Sequence, residues 1–290
     1  MKERGVFRFH ARGQSFKLGI KTLVMGILNV TPDSFSGDGV LKGYKKDCSF
    51  ILSRARKIEA DGADIIDVGG ESTRPGAQMV STDEECRRVV PVVRLLAGKL
   101  SIPISVDTYK PLVAEEALRA GASIVNVIQG TPVDEKILFS VKKYNAGIVL
   151  MHMRGVPQTM QRHARYKDFL KDVFSELKKS VEKCRQFGIK ESNIVVDPGI
   201  GFAKTARHNL LILKNLDRFS ALGVPILVGT SRKSFIGKVL QKDVSDRVLG
   251  SLATATAAVL GGAHIVRAHD VRETREVVSM SDAILNASLT

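Results

Sequence analysis

Eight short apolar runs, rich in Val, Ile and Leu, recur along the chain, and a polar side chain stands at or just past the end of each. They are 22–30 (TLVMGILNV), 64–70 (DIIDVGG), 104–108 (ISVDT), 124–128 (IVNVI), 147–152 (GIVLMH), 194–199 (IVVDPG), 225–231 (PILVGTS) and 264–270 (HIVRAHD). Most read as buried on both faces, which is the situation of parallel strands covered by helices. The intervening segments fit amphipathic helices, for example 83–98, 110–121 and 167–188. The latter two end in Gly, which takes the left-handed turn that closes a helix. Eight strands, each followed by a helix, predict an α/β fold: a closed (β/α)8 TIM barrel, with an open doubly wound sheet as the alternative. Residues 5–18 alternate apolar and polar around ARGQ. They predict a short β-hairpin that covers the N-terminal mouth of the barrel.

One barrel fits the length of 290 residues, and no linker or low-complexity segment interrupts it. A single domain over 1–290 is expected, with the hairpin at about 5–20 and the barrel at about 21–290. No apolar run reaches the roughly 18 residues of a membrane span. The start, MKERGVFRFHARGQ, has no apolar core of a signal peptide. Cys48, Cys86 and Cys184 are far apart and form no CxxC, which argues against disulfides or zinc and for a cytoplasmic home. All three fall in helical segments and read as packing residues. The net charge is +14, but the basic residues are spread in pairs such as Lys142-Lys143 and Lys178-Lys179. With no basic run and no aromatic platform, a nucleic-acid partner is disfavoured. A positive mouth that draws in an anionic small molecule fits better.

In such barrels chemistry gathers at the C-terminal ends of the strands. Those ends carry Asn29; Asp67 and Glu71; Asp107; Asn126; His152; Asp197; Lys233 and Ser234; and Arg267 and His269. Singly, each has a plain structural role: an Asp after a strand often caps the next helix. Asp67 reads as support for its loop and His152 as packing. Their clustering at one end of all eight strands predicts one shared site. Asp107, Asn126 and Asp197 suit a flat heterocycle rich in N–H donors, because a carboxylate accepts two adjacent N–H groups and an amide both donates and accepts. Arg74, Arg267 and His269 suit anionic oxygens. Asn29 offers an amide oxygen to a hard divalent cation. A diphosphate with Mg²⁺ is the natural occupant. GIGFAK (199–204) lacks the spacing of a P-loop and reads as a tight turn beside ligand. HMRGVPQTM (152–160) reads as a mobile loop.

Several longer motifs occur in order: MGILNVTPDSFSGDG, DVGGESTRPGA, SVDT, LMHMRG followed by PQTMQ, DPGIGF, GTSRKSFIG and RAHDV. With these the chain resembles the dihydropteroate synthases over about residues 22–285. The resemblance implies a (β/α)8 barrel of folate biosynthesis and a sulfonamide target. Such enzymes join 6-hydroxymethyl-7,8-dihydropterin diphosphate to p-aminobenzoate, giving 7,8-dihydropteroate and pyrophosphate. It implies that Asp107, Asn126, Asp197 and Lys233 hold the pterin. Asn29, Arg267 and His269 would hold the diphosphate and Mg²⁺. Thr73, Arg74, Pro75, Phe202, Lys233 and Ser234 would shape the p-aminobenzoate pocket. Loops 31–40, with Asp33, Ser34 and Phe35, and 73–80 would be lids, with Gly37 and Gly39 as hinges. An SN1-like, Mg-assisted step and a homodimer are expected on the same ground. The chain departs from the family pattern at Val127, where Asp is usual, and at Ala203, where Gly is usual. Strand alternation turns Val127 toward the helices. The related barrels that remain as alternatives are a corrinoid methyltransferase using methyltetrahydrofolate, which needs no diphosphate motifs, and a pterin binder without synthase activity.

Overall fold

The computed structural model describes residues 4–31, 47–72 and 76–287. β1 (Phe7–Ala11) and β2 (Gln14–Leu18) pair antiparallel, with Phe7 opposite Leu18 and Ala11 opposite Gln14. The two residues between them, Arg12 and Gly13, both have positive φ, 45° and 82°, as a tight hairpin turn that follows the strand twist requires.

Eight parallel strands follow: β3 (Leu23–Asn29), β4 (Ile65–Gly69), β5 (Ile104–Asp107), β6 (Ile124–Val127), β7 (Gly147–Met151), β8 (Ile194–Asp197), β9 (Leu227–Val228) and β10 (Ile265–Ala268). Their order is β8-β7-β6-β5-β4-β3-β10-β9. A parallel bridge between Val196 and Ile226 joins the two ends, and the Val196 N–H donates to the Pro225 carbonyl at 2.9 Å. The ring therefore closes, as the repeating pattern predicts. β9 is much shorter than the run 225–231. Pro225 has no N–H to give to a ladder, and the Thr230 carbonyl accepts from the Lys233 N–H at 3.2 Å in a turn.

Between the strands lie α1 (Asp47–Ala60), α2 (Thr82–Leu96), α3 (Pro111–Ala120), α4 (Glu135–Tyr144), α5 (Phe169–Gln186), α6 (Ala206–Lys214), α7 (Ser234–Leu240) and α8 (Val248–Leu260), and α9 (Val271–Asn286) follows the last strand. α3 ends on Gly121 at φ 126°, the glycine stop read from the sequence. Among the described residues no helix is long and apolar enough to cross a membrane. Cys184 is buried in α5 and Cys86 half-buried in α2. Cys48 departs from the packing expectation: it is exposed at the start of α1, ahead of the buried stripe Ile51, Ala55 and Ile58.

Strand alternation divides the core in two. Outward residues, among them Val24, Ile66, Val106, Val125, Val127, Leu150 and Val196, pack against the helices in one shell. Val127 is 1% exposed there, on the face opposite Asn126, as alternation predicts. Inward residues Leu23, Met25, Ile65, Ile124, Val149, Val195, Leu227 and Ile265 fill the lower barrel and meet Phe9, Ala11 and Leu18 of the hairpin. The hairpin thus seals the N-terminal mouth. A Cβ at Gly147 would lie 2.5 Å from the Phe9 ring, so only glycine leaves the ring its place. Phe9→Ala is expected to cost about 3–5 kcal/mol through the cavity it leaves. A urea melt should show that loss, with ligand affinity at the opposite mouth unchanged.

Below the hairpin the two chain ends are tied together. Arg4 Nη2 pairs with Asp282 Oδ1 of α9 at 2.9 Å, and Arg4 Nη1 donates to Thr22 Oγ1 at 2.6 Å. The Thr22 N–H donates to Asp282 Oδ2 at 2.6 Å, just before β3 begins.

Candidate active site

The sealed floor determines what stands above it. Two residues beyond an inward apolar residue, the next inward residue is polar on four strands: Ile65 then Asp67, Ile124 then Asn126, Val195 then Asp197, and Ile265 then Arg267. On β5 both inward residues are polar, Ser105 and Asp107. Parallel registry sets Asp107 beside Asn126 and Met151 beside Asp197. The period of two that builds the core therefore also builds a polar ring at the C-terminal mouth.

Arg267 binds this ring together. Its Nε donates to Asp67 Oδ2 at 2.6 Å and its Nη2 to Asp107 Oδ2 at 2.7 Å. Asn126 Nδ2 also donates to Asp67 Oδ2, at 3.1 Å. Asp67 is fully buried and acts as the common anchor of Arg267 and Asn126. Its partner oxygen Oδ1 and Asp107 Oδ1 accept nothing from the described protein groups. Burial works against the charge on Arg267, but Asp107 and Asp67 hold it well above its usual value. Burial pushes the Asp107 carboxyl up, with Arg267 opposing. Asp197 accepts from the Gly199 N–H at 2.7 Å, and burial still raises it to about 6.

Lys233 precedes α7, and its Nζ lies 4.0 Å from the centroid of the Phe202 ring, a cation–π contact. Burial and the nearby Arg267 lower it to about 8, against the pull of Asp197 and Asp107. Phe202 belongs to an apolar wall with Ile128, Met151, Met153, Met160 and Ala203, against which Tyr109 packs. A flat apolar wall beside two carboxylates and an amide matches a planar, N–H-rich ring.

On the opposite side Asn29 ends β3, half-buried. A Cβ at Gly69 would lie 3.4 Å from Asn29 Oδ1 and 3.6 Å from Asp107 Oδ2, so glycine keeps the gap between amide and carboxylate open. His269 follows β10, with Nδ1 3.1 Å from Ser231 Oγ. Its ring is lowered below the usual histidine value by desolvation and then by Arg267 and Arg232, which leaves it neutral. Ser234 is exposed at the first turn of α7. Of the residues expected at the site, Asn29, Asp107, Asn126, Asp197, Phe202, Lys233, Ser234, Arg267 and His269 stand on this mouth. Thr73, Arg74 and Pro75, together with Asp33, Ser34, Phe35, Gly37 and Gly39, lie outside the described residues.

Three sequence expectations change here. Glu71 does not join the ring. It turns to Lys110 Nζ, which also pairs with Glu85, and it accepts from Tyr109 Oη at 3.1 Å. Burial and a waiting buried lysine draw it behind the loop. The HMRGVPQTM segment, read as mobile, is pinned instead. His152 is fully buried, and Arg154 sits 4.1 Å over the Tyr166 ring while donating to Glu176 and to the Arg165 carbonyl at 2.7 Å. Lys204, passed over as part of a turn, is buried beneath Phe202. Nothing in its neighbours' identities marks it. The alternation Ile65–Asp67, by contrast, already placed Asp67 inside.

Ala203 has φ +49°, a left-handed conformation that favours glycine. Ala203→Gly relieves about 1 kcal/mol of left-handed strain but loses a fully buried methyl and gains unfolded-chain freedom of similar size, so its thermal midpoint is expected at or below that of wild type. Its carbonyl accepts from Tyr166 Oη at 2.9 Å, which helps hold the strained turn in place.

Residues 25–269 match the model of the family described as pterin binding enzyme. The chain is 47% identical over 277 residues to the dihydropteroate synthase of Bacillus subtilis, covering 96% of this chain and 93% of that one. A crystal structure of dihydropteroate synthase from Clostridium difficile in the presence of pteroic acid superposes with a TM-score of 0.86 at 44% identity, over 93% of this chain and 98% of that chain. That of Xanthomonas albilineans with 4-aminobenzoic acid superposes at 0.89 and 36% identity, over 98% of this chain and 100% of that chain. The ring of carboxylates and amide around Arg267 thus stands in a barrel shared end to end with these enzymes, and the chain belongs to the dihydropteroate synthases of the pterin-binding family.

Proposed function

We propose that this mouth joins 6-hydroxymethyl-7,8-dihydropterin diphosphate to p-aminobenzoate, forming 7,8-dihydropteroate and pyrophosphate. The observation that carries the reading is the cluster of Asp107, Asn126 and Asp197 at the C-terminal strand ends beside the apolar wall, with Arg267 paired to Asp107. Asp197 and Asp107 accept N–H groups of the pterin, Asn126 meets a mixed donor and acceptor edge, and Lys233 reaches a ring oxygen or nitrogen. Phe202, held under Lys233, stacks beside the arylamine.

The C–O bond between the pterin's methylene and the diphosphate breaks, and its electron pair leaves with the pyrophosphate. The ring nitrogens delocalise the cation left on that carbon, and the two carboxylates stabilise it. The arylamine nitrogen then forms the new C–N bond and gives its proton to pyrophosphate or water. Among the described residues Arg267 uses Nε and one Nη2 proton within the ring, which leaves N–H groups for the departing oxygens. His269 can donate to the same oxygens.

Among the described residues a divalent cation fits beside Asn29. Asn29 Oδ1 is a hard, neutral oxygen facing the gap that Gly69 keeps open, and a single protein ligand suits Mg²⁺ that takes its other ligands from water and diphosphate. Held there by Asn29, Mg²⁺ would neutralise leaving-group charge.

The test is pyrophosphate release from the pterin diphosphate with Mg²⁺, with and without p-aminobenzoate. Release that requires p-aminobenzoate and yields dihydropteroate is expected. No release with tight pterin binding retained would refute synthase activity. The two departures from the family pattern favour no such outcome: Val127 faces the helices, and Ala203 keeps the left-handed turn that glycine would take.

A further inference from the structure

We propose that Lys204 is a positioning residue of this site: its ammonium clips the end of β7 to the loop after β8 and stands as the positive charge behind Asp197. The proposal rests on the pterin reading of Asp197 given above.

Lys204 is 3% exposed. Its Nζ has three acceptors in reach: His152 Nδ1 at 2.9 Å, the Phe202 carbonyl at 2.9 Å and the His152 carbonyl at 3.4 Å. The Glu176 carboxylate at Nε2 asks for the proton there, which leaves Nδ1 an acceptor, so an ammonium on Lys204 finds an acceptor for each of its three protons. With Nδ1 accepting, His152 carries its proton on Nε2 and donates it to Glu176 Oε2 at 3.0 Å. Arg154 donates to Glu176 Oε1 at 3.0 Å from the other side. Burial pushes Glu176 up, but His152 and Arg154 outweigh it and hold the carboxyl at about 2. Charges thus alternate inward from α5 to the site: Arg154, Glu176, neutral His152, Lys204, Asp197.

The last link, from Lys204 to Asp197, runs beside Gly199. Gly199 donates its N–H to Asp197 Oδ1 at 2.7 Å, and a Cβ on Gly199 would lie 3.3 Å from Lys204 Nζ and 2.0 Å from the His152 carbonyl oxygen. Only glycine lets the loop lie flat against β7 with the ammonium tucked behind. Because Lys204 also holds the Phe202 carbonyl, it sets the ring that lies under Lys233. The groups facing Asp197 are the Gly199 N–H and Lys204 from its own loop, Lys233 from the loop before α7 and Arg267 from β10. Those facing Lys204 are Asp197, Glu176, Arg154, Lys233 and His152. Burial lowers Lys204 to about 7, so its charge depends on these anions.

The experiment measures binding of 6-hydroxymethyl-7,8-dihydropterin from pH 5.5 to 8.5 in the wild-type protein and in Lys204→Met. Wild-type affinity is expected to fall on the acid side as Asp197 takes up a proton. Lys204 lowers the Asp197 carboxyl through space, and removing such a charge raises a carboxyl by about one unit. Lys204→Met should therefore bind about fivefold more weakly near pH 6 and within about twofold near pH 8.5. An equal loss at both ends of the range would overturn the electrostatic role and leave a mere packing lysine. A second measurement does not need Lys204→Met to fold. Coupling between two charges is reciprocal. In protein carrying ¹⁵N-labelled lysine, the slowly exchanging buried ammonium should titrate about one unit lower in Asp197→Asn than in wild type. An unmoved midpoint overturns the proposal. A wild-type protein that does not bind the pterin at any pH refutes the pterin reading, while the ammonium titration still decides the link between Lys204 and Asp197.

Discussion

Asp197→Ala is expected to abolish pterin binding while leaving the barrel folded. Each charge-assisted hydrogen bond lost is worth about 1.5–3 kcal/mol, so two adjacent N–H groups losing their acceptor weaken binding by on the order of 10²- to 10⁴-fold. The fold tolerates the change because the carboxylate is costly to the free protein. Burial raises Asp197 to about 6 from its ordinary value of 3.8. Between those values the folded chain holds more protons than the unfolded chain, so this group's contribution to stability falls as pH rises through the window. Asp197→Asn should therefore melt at or above the wild-type temperature at neutral pH, with a flatter dependence on pH below it. Calorimetric titration with the pterin and thermal melts across that range measure both. Affinity in Asp197→Ala within a few-fold of wild type would remove Asp197 from the site.

Arg267→Ala carries the other large effect, and it falls on both stability and turnover. The guanidinium bridges Asp67 and Asp107, both buried. Removing it leaves two carboxylates without their cation, and breaking a buried pair in this way costs about 3–5 kcal/mol. Acid should soften the loss, because protonated carboxyls no longer repel. Pyrophosphate release should fall more than binding of a pterin without diphosphate. Binding should fall as well, because Arg267 Nη2 orients Asp107. Arg267→Lys should recover little, since one ammonium cannot span both carboxylates as the planar fork does. Urea unfolding at two pH values, set beside steady-state kinetics, separates these effects. A stability loss below about 1 kcal/mol would contradict the bridging role.

Much of this arrangement could be read from the chain itself. Runs such as IVNV and IVVD announce buried strands, and a step of two along each puts Asn126 and Asp197 inside, above Ile124 and Val195. The hairpin was legible because Phe7, Phe9 and Phe16, Leu18 alternate with polar residues about a tight turn. The extent of β9 was not legible, because strand length there depends on what Pro225 and Thr230 do with their backbone groups, and local apolarity does not report it. Residues acting through partners far along the chain were also hidden. Glu71 finds Lys110 and Lys204 finds His152, separated by 39 and 52 positions, and neither pairing leaves a periodic trace. A lysine in a glycine-rich turn reads as solvated until the fold closes over it.

The tie of Arg4 to Asp282 has a practical consequence. Both ends of the described chain emerge on the sealed side, with the Phe9 plug between them and the mouth where Asp197 and Arg267 stand. Anything attached at either end hangs below the barrel and leaves the entrance clear. A support, a dye or a second folded unit can be joined there through a short spacer, and molecules fixed in a dense layer would all present their open mouths outward.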